Sequence, residues 1–134
     1  LHALDLEPAA QDLRDTRIRF AVVVDPGIVE TLTPDSLARI DIPMLVLNLG
    51  DEERIPAPVH AKALSEKVPG AEYSIIPDAT HFSFLAECKP RGPAILAAEG
   101  EPDPLCEDAG GRSRAEIHAE LTDVIRRFLD AGLH

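Results

Sequence analysis

A loop histidine and an upstream aspartate are the residues of this chain best placed to do chemistry. His81 follows an apolar run at residues 73–76, separated from it by a short polar turn. Asp25 directly follows a second apolar run at residues 19–24. A carboxylate that binds one imidazole nitrogen fixes the tautomer of the ring, so that the other nitrogen can accept a proton. The pair therefore predicts general acid–base chemistry.

Each of the two residues also has a plain structural explanation. His81 could have no role beyond capping the turn that follows it. Asp25 could cap the turn at Pro26-Gly27 with its side chain. Position favours the chemical explanation. Each residue lies just past the carboxyl end of a predicted parallel strand, and those ends meet at the edge of an open sheet where α/β proteins hold their ligands.

Three apolar runs predict the strands that must position this pair. Residues 19–24, 44–49 and 72–76 are largely apolar at consecutive positions, which is typical of strands covered on both faces. Helices are predicted between them at residues 34–40 and 58–68, as right-handed crossovers of a parallel sheet require. The predicted class is α/β, with three parallel strands and flanking helices in an incomplete sheet.

The remainder of the chain reads as a long surface loop followed by a closing helix. Ser113 and Glu116 form a capping-box pattern, and apolar residues recur at helical spacing up to Leu129. The whole chain has at most the length of one domain. Its parts are a lead-in at 1–16, strands and site loops at 17–86, a loop excursion at 87–112 with a short helix at 93–98, and a closing helix at 113–131.

Two cysteines lie within the excursion. Cys88 and Cys106 could form one disulfide or remain two thiols. We favour the disulfide, because exposed thiols are reactive. A disulfide in turn favours a secreted or periplasmic protein over a cytoplasmic one.

Composition argues against several classes of partner. The net charge of −11 disfavours nucleic acid or an anionic membrane, since both require a basic surface. No run approaches the roughly 18 apolar residues of a membrane span. No metal site is predicted, because paired Cys or His spacing is missing. His60 and His118 are predicted to lie on helices as packing or surface residues.

The segment that joins these features resembles a known enzyme family. From Asp25-Pro26-Gly27 through residues 42–47 to residues 79–85, the chain is similar to the carboxyl-terminal part of dienelactone-hydrolase-like α/β-hydrolases. Within them it is most similar to bacterial relatives of platelet-activating factor acetylhydrolase. The resemblance covers residues 12–130, and it implies that the whole chain, residues 1–134, is the carboxyl-terminal part of a single α/β-hydrolase domain. It implies hydrolysis of a small-molecule carboxylic ester or lactone, with no metal or organic cofactor.

The resemblance also assigns roles to particular residues. His81 matches the general base and Asp25 the triad acid. Many other α/β-hydrolases carry the acid after the next strand, where Glu52 and Asp51 are the alternative acids. We prefer Asp25, since the 51–53 cluster lacks the Asp-x-x-Val-Pro sequence with which this loop usually ends in the family. Phe82 and Phe84 could line an acyl pocket or could simply pack the loop.

The family's nucleophile is missing from this chain. That nucleophile is a serine in a Gly-x-Ser-x-Gly turn, and the sequence contains no such motif. The resemblance therefore implies a partner chain or amino-terminal segment that carries it, and we expect this chain alone to be inactive. The alternative is a non-catalytic α/β module that keeps the hydrolase scaffold for binding or assembly.

Overall fold

The fold is described from a computed structural model, which covers residue 12 and residues 14–133. The lead-in predicted for residues 1–16 therefore lies largely outside the described residues. The strands are β1 (Ala21–Val24), β2 (Met44–Leu49) and β3 (Glu72–Ile76), and they form one parallel sheet in the order β1-β2-β3. The predicted α/β class and the parallel sheet are confirmed.

The central strand β2 divides the hydrophobic core into two layers. All six of its residues are buried. Because side chains alternate along a strand, Leu45, Leu47 and Leu49 pack on one face, while Met44 and Val46 pack on the other. The outer strand β1 is only half-buried along its length. This arrangement places fully buried apolar side chains directly beneath the carboxyl end of the central strand.

In the described part of the chain, four helices and three short 3₁₀ turns connect and cover the sheet. The two helices after β3 agree with the sequence prediction, and the two before it are only four residues long. The helices are α1 (Pro34–Leu37), α2 (Lys62–Ser65), α3 (Gly92–Glu99) and α4 (Arg114–Gly132), and the 3₁₀ turns are Val29–Thr31, Ala57–Val59 and His81–Phe84.

The helix predicted at residues 58–68 is wrong. The structure has a 3₁₀ turn and the four-residue helix α2 there, and His60 lies between them rather than on a helix. The cause is Asn48 of β2, whose side chain accepts from the backbone N–H of Ala61 at 2.9 Å and donates to the carbonyl of Val59 at 2.7 Å. These backbone groups are therefore not available to a continuous helix.

Two other predicted elements are shorter than expected. The first strand begins at Ala21 rather than at residue 19. The helix predicted at 34–40 ends at Leu37. A turn follows it, in which the Ile40 N–H donates to the Leu37 carbonyl three residues earlier. Both differences, of two and three residues, are at element ends, where hydrogen bonding is weakest and boundaries are least well defined.

Helix α4 covers one face of the sheet. Ile117, Leu121 and Phe128 are buried against it, and the ring of Phe128 meets that of Phe20 edge-on at 6.2 Å. Ser113 and Glu116 form the predicted capping box, and their hydrogen bonds lower the pKa of the Glu116 carboxyl. Within the described residues, no helix combines the length and the apolar character needed to cross a membrane.

The excursion after the histidine is closed by a disulfide between Cys88 and Cys106, which are 18 residues apart. Gly92 at the start of α3 lies against this disulfide, and a Cβ at that position would come within 3.2 Å of the Cys88 Cβ. The covalent bond thus ties the beginning of the excursion to its last third.

Reduction of this disulfide is expected to destabilise the chain by about 3 kcal/mol, because closing a loop of this size restricts the unfolded ensemble by about that much in the chain-entropy model. Urea unfolding with and without a dithiol reductant measures the change. A Cys88→Ala/Cys106→Ala variant should unfold like the reduced protein and should no longer respond to reductant. Equal unfolding midpoints for the oxidised and reduced protein would contradict the prediction.

Candidate active site

The structure brings Asp25 and His81 together at the carboxyl edge of the sheet. Asp25 follows β1, where its backbone N–H donates to the Leu47 carbonyl at 2.9 Å. His81 opens the 3₁₀ turn after β3. The imidazole Nδ1 lies 3.1 Å from the Asp25 Oδ2, across 56 residues of sequence. The Asp25 side chain is 1% exposed and that of His81 is 46% exposed, so a buried carboxylate meets a solvent-accessible imidazole.

The second carboxylate oxygen of Asp25 is held by two donors. Its Oδ1 accepts from the side-chain amide of Asn48 at 2.8 Å and from the backbone N–H of Leu49 at 2.9 Å. These bonds compensate for the burial of the charge. They also fix the rotation of the carboxylate, which leaves Oδ2 facing the imidazole of His81.

Asn48 is a part of the site that sequence reasoning missed. Its side chain is fully buried, and besides Asp25 and the backbone groups of Val59 and Ala61 it binds the hydroxyl of Tyr73 at 3.0 Å. The amide therefore uses both of its donors and two acceptor positions. Burial, and then the negative charges of Glu52 and Asp25, raise the pKa of Tyr73, which keeps its hydroxyl a donor. The signal was in the sequence: an asparagine within an otherwise apolar strand.

Both loops that enter the site carry an aspartate in the left-handed region. Asp25 has φ 43° and Asp78, three residues before His81, has φ 55°. Non-glycine residues occupy this region at a cost of order 1–3 kcal/mol unless neighbouring contacts hold them there. At Asp25 those contacts are the bonds from Asn48 and Leu49. Strain that survives in this way is typical of functional loops.

The turn that carries His81 is closed by its own hydrogen bonds. The backbone N–H of Thr80 donates to the Ser83 hydroxyl at 2.7 Å, and the Ser83 N–H donates to the Thr80 carbonyl at 2.8 Å. Ser83 is fully buried, and its hydroxyl donates to Asp108 at 2.5 Å. These bonds engage the Ser83 hydroxyl in a structural role.

The alternative acids lie in a different environment. Asp51 pairs with Arg54 at 3.1 Å, and its other oxygen accepts from the Asp78 N–H at 3.4 Å. Glu52 pairs with Lys62 at 3.0 Å. Among the described residues, it is Asp25 and not Asp51 or Glu52 that binds His81. The geometry therefore favours Asp25 as the carboxylate that orients the imidazole.

The remaining candidates surround the histidine or lie away from it. The rings of Phe82 and Phe84 meet the His81 ring edge-on, with centroids 5.4 and 5.7 Å apart. Phe84 is 47% exposed, and the acyl-pocket role of the two rings stays a prediction. His118 lies on α4, where its Nε2 donates to the Ser83 carbonyl at 2.8 Å.

Metal ligands and surface grooves are the remaining features that could belong to a site. Among the described residues, no three His, Cys, Asp or Glu side chains cluster closely enough to hold a metal ion. A large open groove lined by Arg14, Ile40, Asp41 and Met44 lies at the opposite, amino-terminal end of the strands. That groove is therefore separate from the Asp25–His81 pair.

Comparison of the chain with protein-family models, with curated proteins and with solved structures found no match. The evidence for the α/β arrangement is therefore the parallel sheet and its helices.

Proposed function

We propose that this chain supplies the general base, His81, and its orienting carboxylate, Asp25, to a serine hydrolase that cleaves carboxylic esters or lactones. The nucleophile would come from a partner segment that carries a Gly-x-Ser-x-Gly turn. The observation that carries the proposal is the contact between the buried Asp25 carboxylate and Nδ1 of a half-exposed histidine.

The geometry suits His81 to shuttle a proton through its Nε2 nitrogen. Asp25 accepts the hydrogen on Nδ1, which leaves Nε2 as the basic nitrogen of the neutral ring. When Nε2 takes up a proton, the buried carboxylate stabilises the imidazolium at a distance of 3.1 Å. Within the described residues, the side-chain hydrogen bonds of His81 involve Nδ1 alone.

The reaction then follows the usual course of acyl transfer. The serine oxygen attacks the ester carbonyl while His81 takes its proton, and the same proton passes to the departing alkoxide as the acyl-enzyme forms. Water next attacks the acyl-enzyme with His81 as base, and the proton returns to the serine as the acid is released. This chain provides the proton carrier and its orienting group; the attacking oxygen is the partner's.

A second function is favoured by a separate observation. The outer strand β1 is half-buried at every position although the neighbouring β2 is fully buried. Among the described residues β1 pairs with β2 on one side only, so its other side is an edge to which another strand can be added. A non-catalytic module that uses this scaffold for binding or assembly would present the same edge, without use of the Asp25–His81 pair.

Fluorophosphonate labelling, with intact mass measurement of every polypeptide in the purified assembly, tests the proposal. We expect label on a serine of a companion polypeptide, and no label on this chain alone. The variant His81→Ala should lose labelling and lower ester turnover on the order of 10⁶-fold, because loss of a triad histidine removes the base.

His60→Ala is the matched control. Asn48 binds the backbone of the two neighbours of His60, but within the described residues the His60 side chain makes no hydrogen bond to Asp25, Asn48 or His81, so the change should leave labelling intact. Full labelling of the His81→Ala assembly would remove the base assignment. A companion-free, unlabelled protein would favour the binding module instead.

A further inference from the structure

The long excursion after the histidine returns to bind the turn that carries it. The Asp108 carboxylate accepts the Ser83 hydroxyl at 2.5 Å, and Ser83 lies two residues after His81. Asp108 is 12% exposed and Ser83 is fully buried, so water competes little for this bond. The bond links residues 25 positions apart in the sequence.

The segment that carries Asp108 is itself firmly held. Arg114, at the first position of α4, binds the Asp108 carboxylate at 3.1 Å and donates to the carbonyls of Leu105 and Glu107 at 2.8 and 3.1 Å. Cys106, whose disulfide closes the excursion, lies between those two carbonyls in sequence. Asp108 is therefore a fixed point to which the turn is attached.

The position of the His81 ring depends on that turn. The ring is nearly half exposed, and among the described residues its one side-chain hydrogen bond is the 3.1 Å contact to Asp25. A shift of the turn by 1 Å would stretch this contact beyond hydrogen-bonding distance. Ser83 is the residue through which the turn is held most closely from outside, by Asp108 at its hydroxyl and by His118 at its carbonyl, while the Thr80 hydroxyl makes a longer bond of 3.5 Å to the Glu107 carbonyl.

We propose that Asp108 is a positioning residue that holds His81 against Asp25 through Ser83. The inference deepens the proposed function, since it makes the disulfide-closed excursion part of the site. Loss of the Asp108 acceptor frees the turn, and the imidazole then loses the carboxylate that selects its Nδ1–H tautomer.

The ¹⁵N shifts of the His81 ring, measured on this chain at a pH where the imidazole is neutral, report the tautomer directly. The unaltered chain should give one signal set with the hydrogen on Nδ1. Asp108→Ala should give a several-fold larger Nε2–H fraction. Asp108→Asn keeps an acceptor oxygen for Ser83 and should restore the original signals. Glu107→Ala is the matched control, because Glu107 contributes only its backbone carbonyl to the network.

A second variant covers the case in which Asp108→Ala fails to fold. Ser83→Ala leaves the Asp108–Arg114 pair in place and removes the bond from the turn to Asp108, together with the bond that the Thr80 N–H makes to the same hydroxyl. It should raise the Nε2–H fraction as well. A folded Ser83→Ala chain with unchanged His81 signals would overturn the inference. The result is independent of the companion nucleophile, so absence of labelling would defeat the proposed function without deciding this test.

Discussion

Replacement of Asp25 by asparagine is expected to lower ester turnover of the assembled enzyme on the order of 10⁴-fold, the cost of a wrong histidine tautomer in a serine-protease triad. Asparagine has nearly the shape of aspartate, so the fold should persist. The loss would arise from hydrogen-bond direction alone.

The surroundings of Asp25 determine that direction. Two donors, the Asn48 amide and the Leu49 N–H, converge on Oδ1. An asparagine at position 25 must turn its oxygen toward those donors, which places its NH₂ group toward His81. Nδ1 of the imidazole must then act as an acceptor, and the ring carries its hydrogen on Nε2. The nitrogen that should take the serine proton is thereby already protonated.

Two measurements separate this effect from a loss of structure. In this chain, the ¹⁵N shifts of the Asp25→Asn variant should show His81 with its hydrogen on Nε2. In the assembled enzyme, turnover of an ester substrate should fall while the thermal unfolding midpoint stays close to that of the unaltered protein.

Asp51→Asn is the control for the alternative acid. Asp51 pairs with Arg54 and has no bond to His81, so its replacement should leave turnover within a few-fold of the original. If Asp51→Asn abolished turnover and Asp25→Asn did not, the acid assignment would move to the 51–53 cluster.

The sequence was sufficient for the parts of the site that follow from strand ends. Apolar runs placed β2 and β3 within their observed bounds, and parallel strands bring their carboxyl ends to one edge. Asp25 directly follows β1, so the end of that strand fixes its position. His81 lies five residues beyond the end of β3, so the strand order brings it to the same edge, and its contact with Asp25 also depends on the turn that carries it.

What the sequence could not reveal were contacts made by side chains across distant segments. Asn48 interrupts an apolar run, but its four partners come from β1, β3 and the segment before α2. The same contacts overrode the helical periodicity at residues 58–68. A local pattern carries no information on such partners, so local propensity was outweighed by tertiary hydrogen bonding.

Arg114 gave a weaker signal of the same kind. A cation in the first turn of a helix opposes the helix dipole, where an acidic residue is preferred. Such a residue indicates that something beyond the helix compensates it. In the structure that compensation comes from Asp108 and from two carbonyls of the excursion. The sequence shows that Arg114 is unusual for its position in the helix, but its partners can be identified only from the fold.

Replacement of Arg114 by alanine is expected to lower the free energy of unfolding by about 3–5 kcal/mol, as the removal of one partner from a buried ion pair does. The Arg114 and Asp108 side chains are 6% and 12% exposed. Alanine would leave the carboxylate with little water and no cation, and would release the carbonyls of Leu105 and Glu107. Urea unfolding, analysed with the slope as well as the midpoint, measures the loss.

Arg126→Ala is the control within the same helix. Arg126 is 64% exposed and pairs with Asp123 at 2.9 Å and with Asp130 at 3.6 Å, and exposed pairs of this kind contribute at most about 1 kcal/mol. Addition of Asp108→Ala to Arg114→Ala should recover part of the loss, because it removes the uncompensated charge. If Arg114→Ala cost no more than Arg126→Ala, the excursion would not depend on this ion pair. Asp108 would then have to be held by the disulfide and Ser83 alone.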